Sequence, residues 1–287
     1  MITDWHVHAG DFFMLRDDIQ GLLTKFPFES GVDVREVFSK AREMESYLRK
    51  NGVTHAVILA ECGPGTNFTI DSTLIAEFCA NSPDFFIPFG NINPNFHKDP
   101  VAEWEVGKQA GVRGYKFYPA DHGFDPLQPS MMAVYARCAE TKLPIMFHTG
   151  LTAQREATEL YIRPEEFRPI IEAFETMPVV LAHAGKPHWA NQALQFAMKY
   201  KNVYLDTALV DPAVIAGFLE REPEVINKLL FGSDWPVSGS YQTLMNRYSA
   251  VNFGAEWRSK LFGANANRLL GIETPVVEHT EVAETAA

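Results

Sequence analysis

The chain alternates short apolar segments with longer amphipathic stretches along most of its length. Eight apolar segments are predicted to form β-strands: ITDWHVH, HAVILAE, FFIPFGNI, RGYKFYP, PIMFHTG, VVLAHAG, VYLDTA and LLFGSDW. The stretches between them, such as PVAEWEVGKQAG and WANQALQFAMKY, repeat apolar residues every three or four positions, which is typical of helices. Apolar strands that alternate with helices indicate buried parallel strands. Eight such units predict an α/β fold, the (β/α)8 TIM barrel.

In the predicted strands the apolar residues come first and the polar residues last. Successive strand ends carry polar side chains that are spaced 23–35 residues apart after the first one: His8, Glu61, Asn91, Tyr118, His148, His183, Asp206 and Asp234. In a TIM barrel the carboxyl ends of all strands meet at one face, where active sites are built. The pattern therefore predicts a functional site at the mouth of the barrel.

The same spacing predicts the domain organisation. The first interval, from His8 to Glu61, spans 53 residues and must hold an insertion, which we place near residues 11–31. We therefore expect one (β/α)8 barrel domain over residues 1–272. Residues 273–287 lack helical or strand periodicity, and they are predicted to form a flexible C-terminal tail.

Composition narrows the class of protein. The 287 residues are 46% apolar and 21% charged, which is typical of a globular protein with a large core. The net charge of −11 argues against nucleic acid or an anionic membrane as the main partner. No apolar run is long enough to span a bilayer. The three cysteines are odd in number and lack CxxC spacing, so we expect reduced thiols in a cytoplasmic protein.

Two histidines, His6 and His8, stand one residue apart in the first predicted strand. Because alternate residues of a strand share a face, both imidazoles project to the same side and can bind one metal ion. Two strand histidines are also common as ordinary polar residues, so a metal site needs further ligands. His148, His183 and Asp234 end the fifth, sixth and eighth strands and offer nitrogen and carboxylate donors. Five such residues at one barrel mouth predict a metal site.

Five motifs, in the order DWHVH, FHTG, LAHAG, LFGSDWP and GANANRLLG, resemble the amidohydrolase superfamily. The similarity is in particular to its amidohydrolase-related branch, which includes aminocarboxymuconate-semialdehyde decarboxylase-like enzymes and several lactonases. This resemblance implies a (β/α)8 barrel that carries one or two divalent metal ions. Zinc is the expected ion and manganese the alternative, with one ion per chain favoured over two.

The resemblance also implies a role for each residue of the site. His6, His8 and His148 are expected to be metal ligands, and Asp234 is expected to be both a ligand and the proton shuttle. His183 is either a ligand of a second metal or a nearby acid or base. Asp234 and His183 are therefore the predicted catalytic residues.

A bound divalent metal favours hydrolysis, because it lowers the pKa of its water from about 16 towards 7 and polarises a carbonyl group. Asp234 can accept the water proton and return it to the leaving group, while His183 stabilises the developing oxyanion or assists the proton transfer. The leading hypothesis is a metal-dependent hydrolase of a small carboxylated lactone, ester or amide. The alternative is a metal-dependent decarboxylase of an aromatic or muconate-type acid. A third hypothesis is a non-catalytic ligand-binding barrel.

Three residues are predicted to contact the substrate. Lys116 is a cation for a substrate carboxylate, a carboxylated bridge between two metal ions, or a lysine that reaches the rim. Tyr118 shares its face of the strand and can donate a hydrogen bond. Arg155, in the long loop after the fifth strand, matches a carboxylate with its forked guanidinium.

Asp206 is either a strand cap or the partner of a ligand imidazole. A homodimer is expected by analogy with other barrels.

Overall fold

The computed structural model describes residues 1–63, 69–152 and 160–273 of the chain. Arg155 and residues 274–287 of the predicted tail lie outside the described residues. The predicted alternation of strands and helices runs through the described part. The eight strands are β1 (Ile2–His8), β2 (Val53–Leu59), β3 (Phe86–Phe89), β4 (Tyr115–Phe117), β5 (Ile145–Phe147), β6 (Val179–Leu181), β7 (Val203–Asp206) and β8 (Leu229–Leu230).

The helices connect the strands and cover the outside of the sheet. The α-helices are α1 (Asp17–Leu23), α2 (Val34–Ser39), α3 (Ala41–Lys50), α4 (Ser72–Ala80), α5 (Pro100–Ala110), α6 (Pro119–His122), α7 (Pro129–Thr141), α8 (Arg168–Ala173), α9 (Ala190–Lys199), α10 (Pro212–Arg221), α11 (Tyr241–Ser249), α12 (Ala255–Ser259) and α13 (Asn265–Leu270). Short 3-10 turns lie at Phe12–Met14, Pro164–Phe167, Ala182–Gly185 and Pro223–Lys228, and a π-helical turn at Lys260–Ala264. Within the described ranges, no helix has the length and apolar character that crossing a membrane requires.

Aspartates begin several of these helices. Asp71, Asp99 and Asp211 each accept a hydrogen bond from a backbone N–H in the first turn of α4, α5 and α10. Such caps satisfy N–H groups that have no partner within the helix. The helices after β2, β3 and β7 therefore start at fixed points, which sets the length of the loops at the barrel mouth.

All strand pairs are parallel, and each strand neighbours the next in sequence. Continuous pairing gives the orders β1-β2-β3 and β4-β5-β6-β7-β8. Single parallel bridges span the two remaining joints, one between Gly90 and Tyr115 and one between Val7 and Trp235. At the second joint the Trp5 N–H donates to the Phe231 carbonyl, 2.8 Å away. Hydrogen bonds therefore link β1 to the segment after β8, which brings the first and last strands side by side.

Each strand is buried on both faces. In β2, Val57 and Leu59 belong to one apolar cluster together with Trp5, Phe89, Met146, Val180 and Leu230 of other strands. The alternate residues Ala56 and Ile58 pack in a second, larger cluster that includes residues of the surrounding helices. This two-sided burial explains why most strands, such as β2, β3, β5, β6 and β8, are largely apolar and do not alternate with polar residues.

The observed strands are shorter than the apolar segments that predicted them. β5 and β6 end at Phe147 and Leu181, one and two residues before His148 and His183, so both histidines lie in the loops at the mouth. Lys40, between α2 and α3, has an extended backbone (φ −116°, ψ 111°), which divides the amphipathic stretch over residues 34–52 into two helices.

Candidate active site

The two histidines of β1 face the same carboxylate. The Nε2 atoms of His8 and His6 lie 3.3 Å and 3.5 Å from Oδ1 of Asp234. Their ring centroids are 5.3 Å apart, and both residues are buried. The strand geometry expected from the sequence thus places both imidazoles on one side of β1.

Asp206 fixes the orientation of His6. Its Oδ2 lies 2.6 Å from Nδ1 of His6, and its Oδ1 accepts a hydrogen bond from the Ala208 N–H at 2.8 Å. This contact fixes the ring of His6 so that its other nitrogen, Nε2, points toward Asp234. Asp206 therefore combines the two roles that the sequence offered, a cap at the end of β7 and the partner of an imidazole.

The segment that carries Asp234 folds back onto β1. Asp234 has a left-handed backbone (φ +60°), and its N–H donates to the His6 carbonyl at 2.8 Å. Two residues earlier, a Cβ atom on Gly232 would lie 2.2 Å from Oδ1 of Asp206 and 2.9 Å from Cβ of His6. Only glycine fits there, which explains the order of residues in LFGSDW. Left-handed backbone at a non-glycine residue is strained and concentrates at functional sites.

His183 has the same unusual backbone. Its φ is +58° and that of the following Ala184 is +45°, which turns the chain sharply after β6. Its Nδ1 lies 3.1 Å from the Ala208 carbonyl and 3.9 Å from Oδ2 of Asp234. The N–H that Nδ1 donates to this carbonyl leaves Nε2 as the unprotonated nitrogen of the ring.

These side chains form one cluster. His6, His183 and Asp234 each offer a donor atom within 4.8 Å of the other two. The His148 ring lies 4.7 Å from the His183 ring, and its buried Nε2 has no hydrogen-bond partner among the described residues. His8 joins the cluster through its contact with Asp234.

The geometry of the cluster fits a divalent metal ion. Two ligand atoms about 2.1 Å from one ion, at the tetrahedral angle, lie roughly 3.4 Å apart. The separations of 3.3 Å and 3.5 Å from Asp234 to His8 and His6 match that value and exceed the length of a charge-assisted hydrogen bond. Imidazole nitrogens with a carboxylate form a donor set that zinc accepts, and manganese also takes carboxylates.

The protonation states also suit a metal. Burial lowers the pKa of His8, and it lowers the pKa values of His148 and His183 well below the usual range, so these rings are neutral. Burial would raise the pKa of Asp234, but His6 and His8 beside it hold that pKa well below its usual range. Metal ligands must be neutral imidazoles and ionised carboxylates, and this site holds them in those forms.

A cavity of about 310 Å³ opens directly above the cluster. Besides the histidines and Asp234, its walls contain polar and apolar side chains: Glu61, Tyr118, Asp121, Leu151, Thr152, Lys186, Leu209 and Val237. Tyr118, one of the predicted substrate contacts, is thus part of the wall. The cavity is large enough for a small organic substrate that reaches the metal ligands.

Lys116 lies beneath this wall. Lys116 is the middle residue of β4 and not its last, and its side chain is completely buried. Its Nζ lies 5.1 Å from the centre of the Tyr118 ring and has no hydrogen-bond partner among the described residues. Burial lowers the pKa of Lys116 to about 8, although Asp206, Asp234 and other carboxylates raise it in part.

Sequence reasoning missed three polar residues of the cavity wall: Asp121, Thr152 and Lys186. Asp121 follows Tyr118 by three residues and lies in the short helix α6, while Lys186 follows His183 by three and comes directly after the 3-10 turn Ala182–Gly185. Counting a few residues past each strand would have found them. Burial raises the pKa of Asp121 to about 6, and a hydrogen bond from Thr152 and the charge of Lys116 oppose this rise. Arg155, predicted for the same loop as Thr152, lies outside the described residues.

Comparison with protein families decides the class of this site, because the family model described as amidohydrolase matches residues 3–272. The chain belongs to the amidohydrolase family. This confirms the predicted family and, with it, a metal-dependent enzyme that hydrolyses or decarboxylates its substrate. No curated protein matches the sequence.

Solved structures of similar proteins confirm the predicted TIM barrel. An uncharacterized TIM-barrel protein from Bordetella bronchiseptica is 21% identical with a TM-score of 0.80, over 94% of this chain and 98% of that chain. A probable 2-pyrone-4,6-dicarboxylic acid hydrolase from Acinetobacter baumannii, with citric acid bound, is 15% identical with a TM-score of 0.65, covering 94% and 99%. A 5-carboxyvanillate decarboxylase from Novosphingobium aromaticivorans, complexed with manganese and a nitrobenzoic acid, is 14% identical with a TM-score of 0.68, covering 94% and 96%.

Proposed function

We propose that this amidohydrolase hydrolyses a small carboxylated lactone, ester or amide. The observation that carries the proposal is the position of Asp234, whose carboxylate lies 3.3 Å and 3.5 Å from the imidazole nitrogens of His8 and His6 and also lines the substrate cavity. An ionised carboxylate at the floor of a substrate cavity is ready to accept a proton. Hydrolysis begins with such a step, because water must lose a proton as it attacks a carbonyl carbon.

His6, His8, His148 and Asp234 would hold the metal ion, with zinc expected, manganese as the alternative, and one ion per chain. The bound metal supplies an acidified water and polarises the carbonyl group of the substrate. The manganese in the related decarboxylase supports the alternative ion. The position of His183 within the cluster also fits a ligand, which the sequence analysis left open beside its acid or base role.

The residues of the chain divide the proton transfers between them. Asp234 takes the proton of the attacking water and returns it to the leaving oxygen or nitrogen. Asp206 keeps His6 in the orientation that points its Nε2 to the cluster. His183, when it is not a ligand, stabilises the negative charge that develops on the carbonyl oxygen.

Tyr118 and Arg155 are the proposed contacts to the substrate, and Lys116 is the proposed cation that attracts its carboxylate. Tyr118 lines the cavity, and Lys116 adds positive charge from beneath this wall. Arg155 would clamp a carboxylate from the loop after β5. The hydrolase and the decarboxylase among the similar structures both carry carboxylic acids in their names, which supports a carboxylated substrate here.

Asp121 favours the alternative function, decarboxylation of an aromatic or muconate-type acid. With a pKa of about 6, roughly a tenth of its carboxyl group is protonated at pH 7, more than for an ordinary aspartate. A decarboxylase needs such a donor, because a proton must replace the carbon dioxide that leaves. The same proton could instead go to the leaving group of a hydrolysis, so products must separate the two functions.

Product analysis tests the proposal. The zinc- and manganese-loaded protein is incubated with two panels, one of carboxylated lactones, esters and amides and one of hydroxylated aromatic acids. We expect acid release from a member of the first panel without carbon dioxide, and loss of that activity in Asp234→Asn. Carbon dioxide release from the second panel, with no hydrolysis in the first, would replace the hydrolase with the decarboxylase.

The metal content of the protein purified without chelators tests the cluster itself. One equivalent per chain is the expected result, with Lys116 free to interact with the substrate. Two equivalents would favour His183 as a ligand and a carboxylated Lys116 as a bridge. No bound metal, even after soaking with zinc or manganese, would contradict the proposed metal site.

A homodimer and a cytoplasmic location remain predictions. Light scattering in solution tests the homodimer.

A further inference from the structure

Two lysines approach the site, and they differ in their access to the cavity. Lys116 is completely buried and is absent from the cavity wall. Lys186 is partly exposed and lines the cavity together with His148 and Asp234. A ligand in the cavity can therefore touch the Lys186 ammonium directly, whereas Lys116 acts on it only through its electric field.

The backbone of Lys186 is held tightly against the loop after β5. Its carbonyl accepts a hydrogen bond from the Leu151 N–H at 3.1 Å, and its N–H donates to the His183 carbonyl at 3.0 Å. A Cβ atom on Gly150, whose φ is +86°, would lie 2.0 Å from the Lys186 carbonyl oxygen. Glycine at this position thus lets the two loops meet, and the point from which the lysine side chain leaves the backbone is well defined.

The Lys186 ammonium has no directly paired carboxylate in the described part of the chain. Asp234 and Asp206 act on its charge from a distance and raise its pKa, while burial has the larger effect and lowers it. Within residues 1–63, 69–152 and 160–273, no carboxylate forms an ion pair with it. Glu61 and Asp121 also line the cavity. A partly buried cation without a paired anion is a binding position for an anionic group of a ligand.

We propose that Lys186 binds the carboxylate of the substrate and makes the site prefer anionic ligands to neutral ones of the same shape. The inference rests on the proposed function, because it concerns the same cavity. A lysine ammonium is a compact charge on a flexible stem, which suits a carboxylate whose exact position varies between ligands. Leu151, Leu209 and Val237 in the cavity wall would contact the apolar body of such a ligand.

A matched pair of probes tests this role without knowledge of the natural substrate. Benzoate and benzamide have nearly the same shape and differ in charge. Calorimetric titration of the metal-loaded protein should show benzoate binding at least about tenfold tighter than benzamide. Lys186→Gln should remove most of this preference by weakening benzoate alone, and Lys186→Arg should largely restore it. The control is Lys201→Gln, since Lys201 is exposed and precedes β7 at the opposite end of the barrel.

Each remaining outcome contradicts the inference. Equal affinities for the two probes, no benzoate binding at tens of millimolar, or an unchanged preference in Lys186→Gln would each overturn it. Thermal unfolding of Lys186→Gln shows whether lost binding reflects lost folding, and the arginine variant provides a second test in that case. Metal content is measured on the same samples, with the titrations repeated on metal-free protein. Absence of metal would contradict the proposed function, while the dependence of benzoate binding on Lys186 would still decide this inference.

Discussion

Two buried carboxylates lie on either side of His6, and their surroundings differ. Asp4, in β1, accepts hydrogen bonds from the backbone N–H groups of Ser233 and His6 at 2.9 Å and 3.1 Å. The Tyr241 hydroxyl donates to its other oxygen at 3.1 Å. Both oxygens of Asp4 therefore have partners at ordinary hydrogen-bond distance, as buried polar groups of a stable core do.

Asp234 has a different set of neighbours. Its Oδ1 faces the Nε2 atoms of His8 and His6 at 3.3 Å and 3.5 Å, separations that match two ligands of one ion. Burial raises the pKa of Asp4 to about 6, whereas the histidines hold the pKa of Asp234 well below its usual range.

The two carboxylates differ in role: Asp4 supports the structure, whereas Asp234 takes part in the proposed chemistry. Ser233 donates its N–H to Asp4, and the next residue along the chain is Asp234. The satisfied network around Asp4 thus holds the backbone that carries the reactive carboxylate. Asp4 should therefore govern stability, and Asp234 should govern activity.

The largest expected effect tests the chemical half of this comparison. Asp234→Asn should lower kcat by roughly 10²–10⁴-fold, because the amide cannot accept the proton of the attacking water. The melting temperature should change little, since the carboxylate faces the cavity and not the apolar core. Activity on the substrate found in the product panels, together with a thermal melt, checks both parts. Full activity with metal still bound would remove the role assigned to Asp234.

The next effect tests the structural half. Asp4→Ala should lower the free energy of unfolding by about 3 kcal/mol, because the Ser233 N–H and the Tyr241 hydroxyl lose their buried acceptor. Urea unfolding measures the change. Asp4→Asn is the control and should lose less, since its amide oxygen still accepts a hydrogen bond. A stable Asp4→Ala protein with poor activity would mean that the two carboxylates do not divide their roles in this way.

A smaller effect is expected at Asp206, a buried carboxylate that orients the proposed metal ligand His6. Asp206→Asn should weaken metal affinity by roughly 10–100-fold, because a neutral amide replaces the charged carboxylate that contacts Nδ1 of His6. Competition with a chelator measures the affinity. His6→Ala should lower the metal content further, since it removes a proposed ligand. An unchanged metal load in His6→Ala would make the HVH pair structural.

The sequence predicted the order of the strands and the residues that gather at their ends, because both depend on local pattern. An apolar run followed by a histidine or aspartate identifies a buried strand and the loop after it, as at His148 and His183. Once eight such units are assumed, the barrel brings their ends together without any further information. The cluster of His6, His183 and Asp234 follows from this regularity.

The depth and contacts of individual side chains could not be predicted in the same way. Lys116 was expected at a strand end but lies inside β4, since apolar runs do not show where pairing stops. Lys186 and Asp121 enter the cavity because the loops after β6 and β4 turn inward, and those turns depend on tertiary contacts such as that of Gly150 with Lys186. The left-handed backbone of Asp234 depends in turn on hydrogen bonds to β1.

The smallest expected effect concerns Lys116. Unlike the carboxylate of Asp4, its buried ammonium has no hydrogen-bond partner among the described residues. Lys116→Met should raise the free energy of unfolding at pH 7 by about 1–2 kcal/mol, because methionine fills similar space without a charge. The folded-state pKa of about 8 lies below the ordinary value of 10.5, so folding disfavours the protonated lysine. The free energy of unfolding of the wild-type protein therefore increases as the pH rises from 8 to 10.5. The difference in this free energy between Lys116→Met and the wild type shrinks over the same range.

Chemical unfolding of both proteins at pH 7, 9 and 10.5 measures this difference, and Lys201→Met serves as a control with an exposed lysine. Activity should fall in Lys116→Met even as stability rises, since the positive charge beneath the Tyr118 wall is lost. A variant that is instead destabilised at pH 7 would show that Lys116 has a stabilising partner in the folded protein. In that case its ammonium would resemble Asp4 as a satisfied buried group, whereas Nε2 of His148 would remain a buried atom without a hydrogen-bond partner among the described residues.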